Sequence, residues 1–270
     1  MSSSPLHVLV HGVPTHHALW DGVRTHLGGR TVHAPDLPGY GGAPALEDPG
    51  IEAHTDWLDR SIHSIDPSGN RPVHLVGQDY GGLLAASLAA RVPSRRVLSV
   101  TLISAAVGLS WSWARVGALP GPHLLFYRAF GGRLFHHQGI APHARARYQT
   151  TFGPSIDDPG LPDRMRWLAS GLSLRLLARL PHRLAASGTP LLFIAGSADR
   201  FVPFPMALYM AHRHRRLGAP ARTYYPTVAD RLNTRCVAPK FAEVSNAVGA
   251  VAGGVSQRVS ILVSAPDDMR

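Results

Sequence analysis

The chain has 270 residues, of which 45% are apolar and 16% charged, and a formal net charge of +10. Such a composition buries a large core and excludes disorder, and no uninterrupted apolar run reaches the roughly 20 residues of a membrane span. The positive charge is almost all arginine scattered along the chain, with Lys240 the single lysine, so the clustered basic face of a nucleic-acid binder is missing.

The opening residues Met1-Ser2-Ser3-Ser4-Pro5 place no basic segment ahead of an apolar one, so no signal peptide is expected. A single cysteine, Cys236, excludes an intramolecular disulfide and suits a reducing cytoplasm. Residues 6–10 read as a buried strand, followed by a turn at Gly12-Val13-Pro14 and a helix over about 18–27. A second strand at 31–34 ends in the turn Pro35-Asp36-Leu37-Pro38-Gly39-Tyr40-Gly41-Gly42. A helix over 51–65 presents Trp57, Leu58, Ile62 and Ile65 on one face.

The apolar run Val73-His74-Leu75-Val76 then leads into Gly77-Gln78-Asp79-Tyr80-Gly81-Gly82 and a helix-like stretch from Leu83. Strand, G-x-nucleophile-x-G, helix is a sharp turn that lifts one side chain above a sheet edge. Glycines flank it because a Cβ there meets the neighbouring strand and helix. The lifted residue is a carboxylate, Asp79. A carboxylate attacks saturated carbon, an epoxide or a C–X bond, and leaves an ester that water must cleave.

Further strands are expected at 97–104, 190–195 and 221–226. Strands separated by helices imply right-handed crossovers, hence an α/β fold with a mainly parallel sheet and helices on both faces. Residues 105–188 differ, with seven prolines, three tryptophans and no strand pattern. An insertion of about 80 residues is too long for a connection, so it is expected to be a helical lid (cap) over the elbow. Within it a helix over 165–184 sets Leu168, Leu172, Leu176 and Leu180 at i+4 spacing, a stripe suited to packing on the main domain. The division is therefore a core of 1–104 and 189–270 and a cap of 105–188.

Four segments together resemble the α/β-hydrolase superfamily, in its branch of epoxide hydrolases and haloalkane dehalogenases. They are His11-Gly12-Val13-Pro14, Asp36-Leu37-Pro38-Gly39-Tyr40-Gly41, the Gly77–Gly82 elbow, and Gly196-Ser197-Ala198-Asp199-Arg200-Phe201-Val202-Pro203. The resemblance covers residues 6–205 and implies the α/β-hydrolase fold with Asp79 as nucleophile. It implies Asp199 as the acid that orients a histidine base, although Asp199 also suits a helix N-cap. It implies the N–H groups of Val13 and Tyr80 as donors to the charge that develops during ester hydrolysis, with His11 and Gly12 shaping the turn. His11 suits a buried turn-former better than a proton carrier.

Dehalogenases of this branch place Trp after the nucleophile, where Tyr80 stands, and Asn after the His-Gly pair, where Val13 stands. Epoxide hydrolases use cap tyrosines to protonate the opening ring, which makes Tyr127 and Tyr148 candidates; packing is the alternative role of each. Trp111 and Trp113 are expected to pack within the cap, with lining the pocket or donating their indole N–H groups as the alternative roles. The family's water-activating histidine follows the last strand in a Gly-His pair. Here that stretch reads Thr227-Val228-Ala229-Asp230-Arg231-Leu232, with Asp230 near the histidine's place and no histidine beyond His214. The helix carrying His212 and His214 is expected to show both to solvent.

Three functional expectations follow. The first is an epoxide-hydrolase-type enzyme, slowed by the missing histidine, with a haloalkane-dehalogenase-like hydrolase as its variant. The second is a non-hydrolytic or binding protein on the same fold. The third is a reading frame altered near Thr227 that leaves a foreign tail. The expected partner is a small hydrophobic epoxide or alkyl halide, without metal, cofactor, nucleic acid or membrane, in the cytoplasm.

Overall fold

Apolar strands buried on both faces need helices on both sides, and the chain supplies them in alternation. The computed structural model describes residues 4–93, 95–105, 107–109, 160–195, 202 and 204–224. The first half runs β1 (Leu6–Val10), a 3-10 turn (His17–Trp20), α1 (Asp21–His26), β2 (Thr31–His33), α2 (Ile51–Ile65), β3 (Val73–Gln78), α3 (Tyr80–Ala89) and β4 (Val97–Ile103). The second runs α4 (Leu161–Ser170), α5 (Leu174–Ala186), β5 (Leu191–Ile194), α6 (Phe204–Arg216) and β6 (Ala221–Tyr224). The six strands pair in the order β2-β1-β3-β4-β5-β6. All five pairings are parallel. Among the described residues no antiparallel strand lies beyond β2.

Strand alternation splits the core into two layers. Leu6, Val8, Val10, Leu75, Val100, Leu102 and Phe193 face α2, α3, α5 and α6, where Leu58, Ile62, Leu84, Leu88, Leu180, Leu184 and Met210 meet them. Leu9, Val76, Ile103 and Ile194 face the other way, onto Leu19, Trp20, Val23 and Leu27. Leu6, Leu9, Leu75, Leu84 and Trp20 are fully buried, and a side chain of this size contributes roughly 1.5–3 kcal/mol on burial.

Three local readings change. The helix expected over 18–27 opens as a 3-10 turn, because His16 Nδ1 accepts the Ala18 N–H and caps it before α1 begins. The single helix expected over 165–184 is two. A Cβ at Gly171 would lie 1.9 Å from the Pro49 carbonyl oxygen, so the chain bends against that loop, and Ser173 then caps α5 through the Leu176 N–H at 3.3 Å. On α2 the buried face is Ile51, His54, Thr55, Leu58 and Ile62, while Ile65 in the last turn is 43% exposed and Trp57 half-buried.

α5 packs its Leu177, Leu180 and Leu184 into the same layer as α3. α4 lies over the loop after β2, where Tyr40 donates its hydroxyl to Met165 Sδ at 3.5 Å, and against α2 through Trp167 and His54.

Candidate active site

The winding of the sheet reverses between β1 and β3, since β2 lies on one side of β1 and β3 on the other. The crevice at the carboxyl ends of strands flanking such a reversal is where open α/β sheets bind ligands. Asp79 sits at the end of β3 and the His11-Gly12-Val13-Pro14 turn at the end of β1.

Asp79 has φ 50° and ψ −120°, a left-handed conformation that costs a non-glycine residue free energy and that the packing around it must hold. The glycines around it allow the close approach. A Cβ on Gly77 would lie 2.4 Å from the Gly81 carbonyl oxygen, and one on Gly81 would lie 2.3 Å from the carbonyl oxygens of Val10 and His11. The strand, the helix and the β1 loop thus meet around a turn that only glycines let close. Asp79 precedes α3, whose first-turn N–H groups and dipole favour an anion at that end.

Val13 donates its N–H to Asp79 Oδ2 at 3.1 Å. Gly12 donates its N–H to Gln78 Oε1 at 2.9 Å, so the residue before Asp79 fixes the turn that touches Asp79. His11 is fully buried; its Nε2 accepts the Leu37 N–H at 2.8 Å, and Nδ1–H donates to the Gly12 carbonyl at 2.7 Å. Thr15 donates its hydroxyl to the same carbonyl at 2.8 Å. Desolvation by burial pushes His11 down to about 4, so it is neutral at pH 7 with both ring nitrogens engaged in backbone bonds. This is a turn-former's environment.

Tyr80 is buried, and burial pushes its phenol far up, which keeps the hydroxyl protonated. Its ring meets the His54 ring edge-on at 5.7 Å, and His54 in turn lies 5.4 Å from Trp167. The structure therefore brings His11, Gly12, Val13, Asp79 and Tyr80 together. Asp199, Tyr127, Tyr148, Trp111, Trp113 and Asp230 lie outside the described residues.

Three residues at this edge escape the sequence reading. Gln78 is 1% exposed and props the Gly12 turn; its place inside the elbow motif was the available signal. His54 is 1% exposed and donates Nδ1–H to the Gly50 carbonyl at 3.0 Å. Ser104, just past β4, has φ 45° and a buried hydroxyl with no partner among the described residues. The two histidines of α6 divide: His212 is exposed, but His214 is 1% exposed and stacks near Phe193 at 5.9 Å, contrary to the surface expectation. It lies at i+7 from Ala207 and i+4 from Met210, on the inward stripe of the helix.

A family model described as alpha/beta hydrolase fold matches residues 5–215. The chain belongs to the alpha/beta hydrolase fold family. Among relatives of this α/β hydrolase, lipase LipV of Mycobacterium tuberculosis is 36% identical over 114 residues, which span 42% of each chain. A pimeloyl-[acyl-carrier protein] methyl ester esterase of Aeromonas hydrophila is 28% identical over 204 residues, 73% of this chain and 78% of that one. The crystal structure of the ancestral haloalkane dehalogenase AncHLD2 superposes with a TM-score of 0.66 over 98% of this chain and 92% of its own. Its 18% identity speaks for the fold alone. No helix among the described residues is long and apolar enough to cross a membrane.

Proposed function

We propose that this α/β hydrolase uses Asp79 to attack an electrophilic carbon, as an epoxide hydrolase does, and forms an alkyl-enzyme ester. The observation that carries this reading is the elbow itself. The residue held at φ 50° on the Gly77–Gly82 turn, with its carboxylate against the Val13 N–H, is Asp79 and not a hydroxyl nucleophile.

An Asp79 oxygen forms the new C–O bond while the epoxide C–O bond breaks and its electron pair stays on the departing oxygen. That oxygen takes a proton from an acid, the role we assign to Tyr127 or Tyr148. Water then attacks the carbonyl carbon of the Asp79 ester. The negative charge that develops on the carbonyl oxygen is met by the Val13 N–H and the Tyr80 N–H, the latter at the first turn of α3. Water attack needs a base. Asp199 is assigned to orient one, yet Asp230 stands where the family has histidine. A carboxylate of ordinary pKa near 4 is a poor substitute for imidazole, so the ester should form faster than it breaks down.

We assign residues 105–188 to a cap, with α4 over the carboxyl edge and α5 as its stem on the core, and the substrate class to small hydrophobic epoxides. A haloalkane-dehalogenase-like reaction uses the same Asp79, the halide leaving with the electron pair of its C–X bond. Intact mass of the full chain after exposure to a reactive epoxide and, separately, to a primary alkyl bromide tests both readings. The parent is expected to gain one alkyl adduct and Asp79→Asn none. Rapid hydrolysis of simple carboxylic esters by Asp79→Asn at the parent's rate would remove Asp79 from the chemistry.

A further inference from the structure

Directly after the turn that touches Asp79, the chain places two histidines in sequence, His16 and His17, and Asp36 lies nearby in the loop that follows β2. One ligand atom from each of the three lies within 4.8 Å of the other two. We propose that His16, His17 and Asp36 form a binding site for a divalent d-block cation, of which Zn²⁺ is the probe of choice. No local motif announces the site, because Asp36 is distant in sequence and belongs to a glycine-rich turn.

The donor set has the right chemistry. Two imidazoles and one carboxylate suit Zn²⁺, Ni²⁺, Co²⁺ and Cu²⁺ better than Mg²⁺ or Ca²⁺, which call for oxygen donors. Three protein ligands leave further coordination positions to water, and His17, 46% exposed in its side chain, opens the site to solvent.

The group is also oriented before any ion arrives. Asp36 Oδ1 accepts the backbone N–H of His17 at 2.7 Å, and His17 Nδ1 lies 2.9 Å from both Asp36 oxygens. An N···O separation of that order is close to the spacing of two ligands about 2 Å from one shared ion. The Nδ1 proton that now serves the hydrogen bond moves to the exposed Nε2 by tautomer exchange, which frees the Nδ1 lone pair for the cation. The His16 ring stands edge-on to that of His17 at 5.5 Å. Its Nδ1 accepts the Ala18 N–H at 3.4 Å.

The location gives the site a consequence. Asp36 Oδ1 is 3.7 Å from His11 Nε2, so the cation joins the loop after β1 to the loop after β2 on either side of the buried His11. It braces the turn that presents the Val13 N–H, and the inference stands whether or not Asp79 is the nucleophile.

The test uses the full chain without an affinity tag, stripped with a chelator and dialysed. Zn²⁺ titration by calorimetry is compared for the parent, His16→Gln and His17→Gln. Glutamine keeps a hydrogen-bond donor for Asp36 but offers no ring nitrogen, so folding should be retained, which circular dichroism checks. The parent is expected to bind one equivalent of Zn²⁺ that both variants lack. Its thermal midpoint should rise with Zn²⁺ by roughly 3 °C or more at tenfold excess over Kd, and theirs should not. Co²⁺ should give a visible d–d band in the parent only. Equal stoichiometry in parent and variants, or no binding by the parent at 100-fold molar excess, overturns the site.

Discussion

Acid should unfold this protein through its buried neutral histidines, well before its carboxylates are protonated. His11, His74 and His214 are 0%, 4% and 1% exposed, and desolvation is the first cause that pushes each down to about 4. His74 sits beside His7 on the adjacent strand, their rings 5.1 Å apart, and His214 has an unpartnered buried Nδ1 among the described residues. In the unfolded chain a histidine titrates near 6.5, so between about pH 6.5 and 4 the unfolded state binds protons that the folded state refuses, and stability falls as pH falls through that window. At 1.36 kcal/mol per pKa unit, each histidine forfeits about 2 kcal/mol by pH 5 and about 3 kcal/mol below pH 4. Three together cost about 6 kcal/mol between pH 7.5 and 5, comparable to the whole stability of a typical domain. Burial also pushes His7, His33 and His54 down, which acts in the same direction. Asp66 does not contribute here, because the Arg96 guanidinium holds its carboxyl at about 2 and its share is lost only as pH falls from about 4 towards that value. Urea unfolding at pH 7.5, 6.5, 5.5 and 5 measures the loss, and His214→Leu should reduce the proton uptake on unfolding by close to one at pH 5. Stability that is the same within about 1 kcal/mol at pH 7.5 and 5 would show that these histidines do not titrate on unfolding as their burial requires.

Further predictions concern the site and the core. Gly12→Ala places a Cβ 2.5 Å from the Asp79 Cβ and 2.4 Å from Gln78 Oε1, so it must displace Asp79; if Asp79 is the nucleophile, single-turnover alkylation, followed by mass, should slow by about 10²-fold. Leu84→Ala, at a fully buried position between α3 and the sheet, should cost about 2–5 kcal/mol in urea unfolding without altering which residue is alkylated. The double substitution Ala229→Gly with Asp230→His should raise steady-state turnover by about 10²–10⁴-fold if position 230 is the base's place, and unchanged turnover would move that place elsewhere.

Local motifs made the centre of the site legible. The spacing Gly77-x-Asp79-x-Gly81 names a turn whose steric demand is met within six residues, and its side chain can rise in only one direction. The alternation of strands and helices likewise implies the parallel sheet, because crossovers of this length cannot make hairpins. His54 and Ser104 were not legible, and Gln78 was signalled only by its place in the elbow motif, since their importance depends on which loop or ring the fold sets beside them. His214 was hidden by its polarity even though its helical phase matched Ala207, Met210 and Ala211. The break at Gly171 came from a loop some 120 residues earlier, Pro49-Gly50, and no local pattern announces such a contact. The residues expected to complete the chemistry, Asp199, Tyr127, Tyr148 and Asp230, lie outside the described residues, so their roles rest on the family resemblance.

Locating the covalent adduct decides whether Asp79 attacks the substrate. The full chain is incubated with a small reactive epoxide, quenched in acid and digested, and the alkylated peptide is sequenced by tandem mass spectrometry with and without hydroxylamine, which cleaves esters. One modified residue is expected, Asp79, carrying a hydroxylamine-labile ester that vanishes in Asp79→Asn. A stable adduct on a histidine or on Cys236, with the peptide containing Asp79 unmodified throughout the time course, would contradict it.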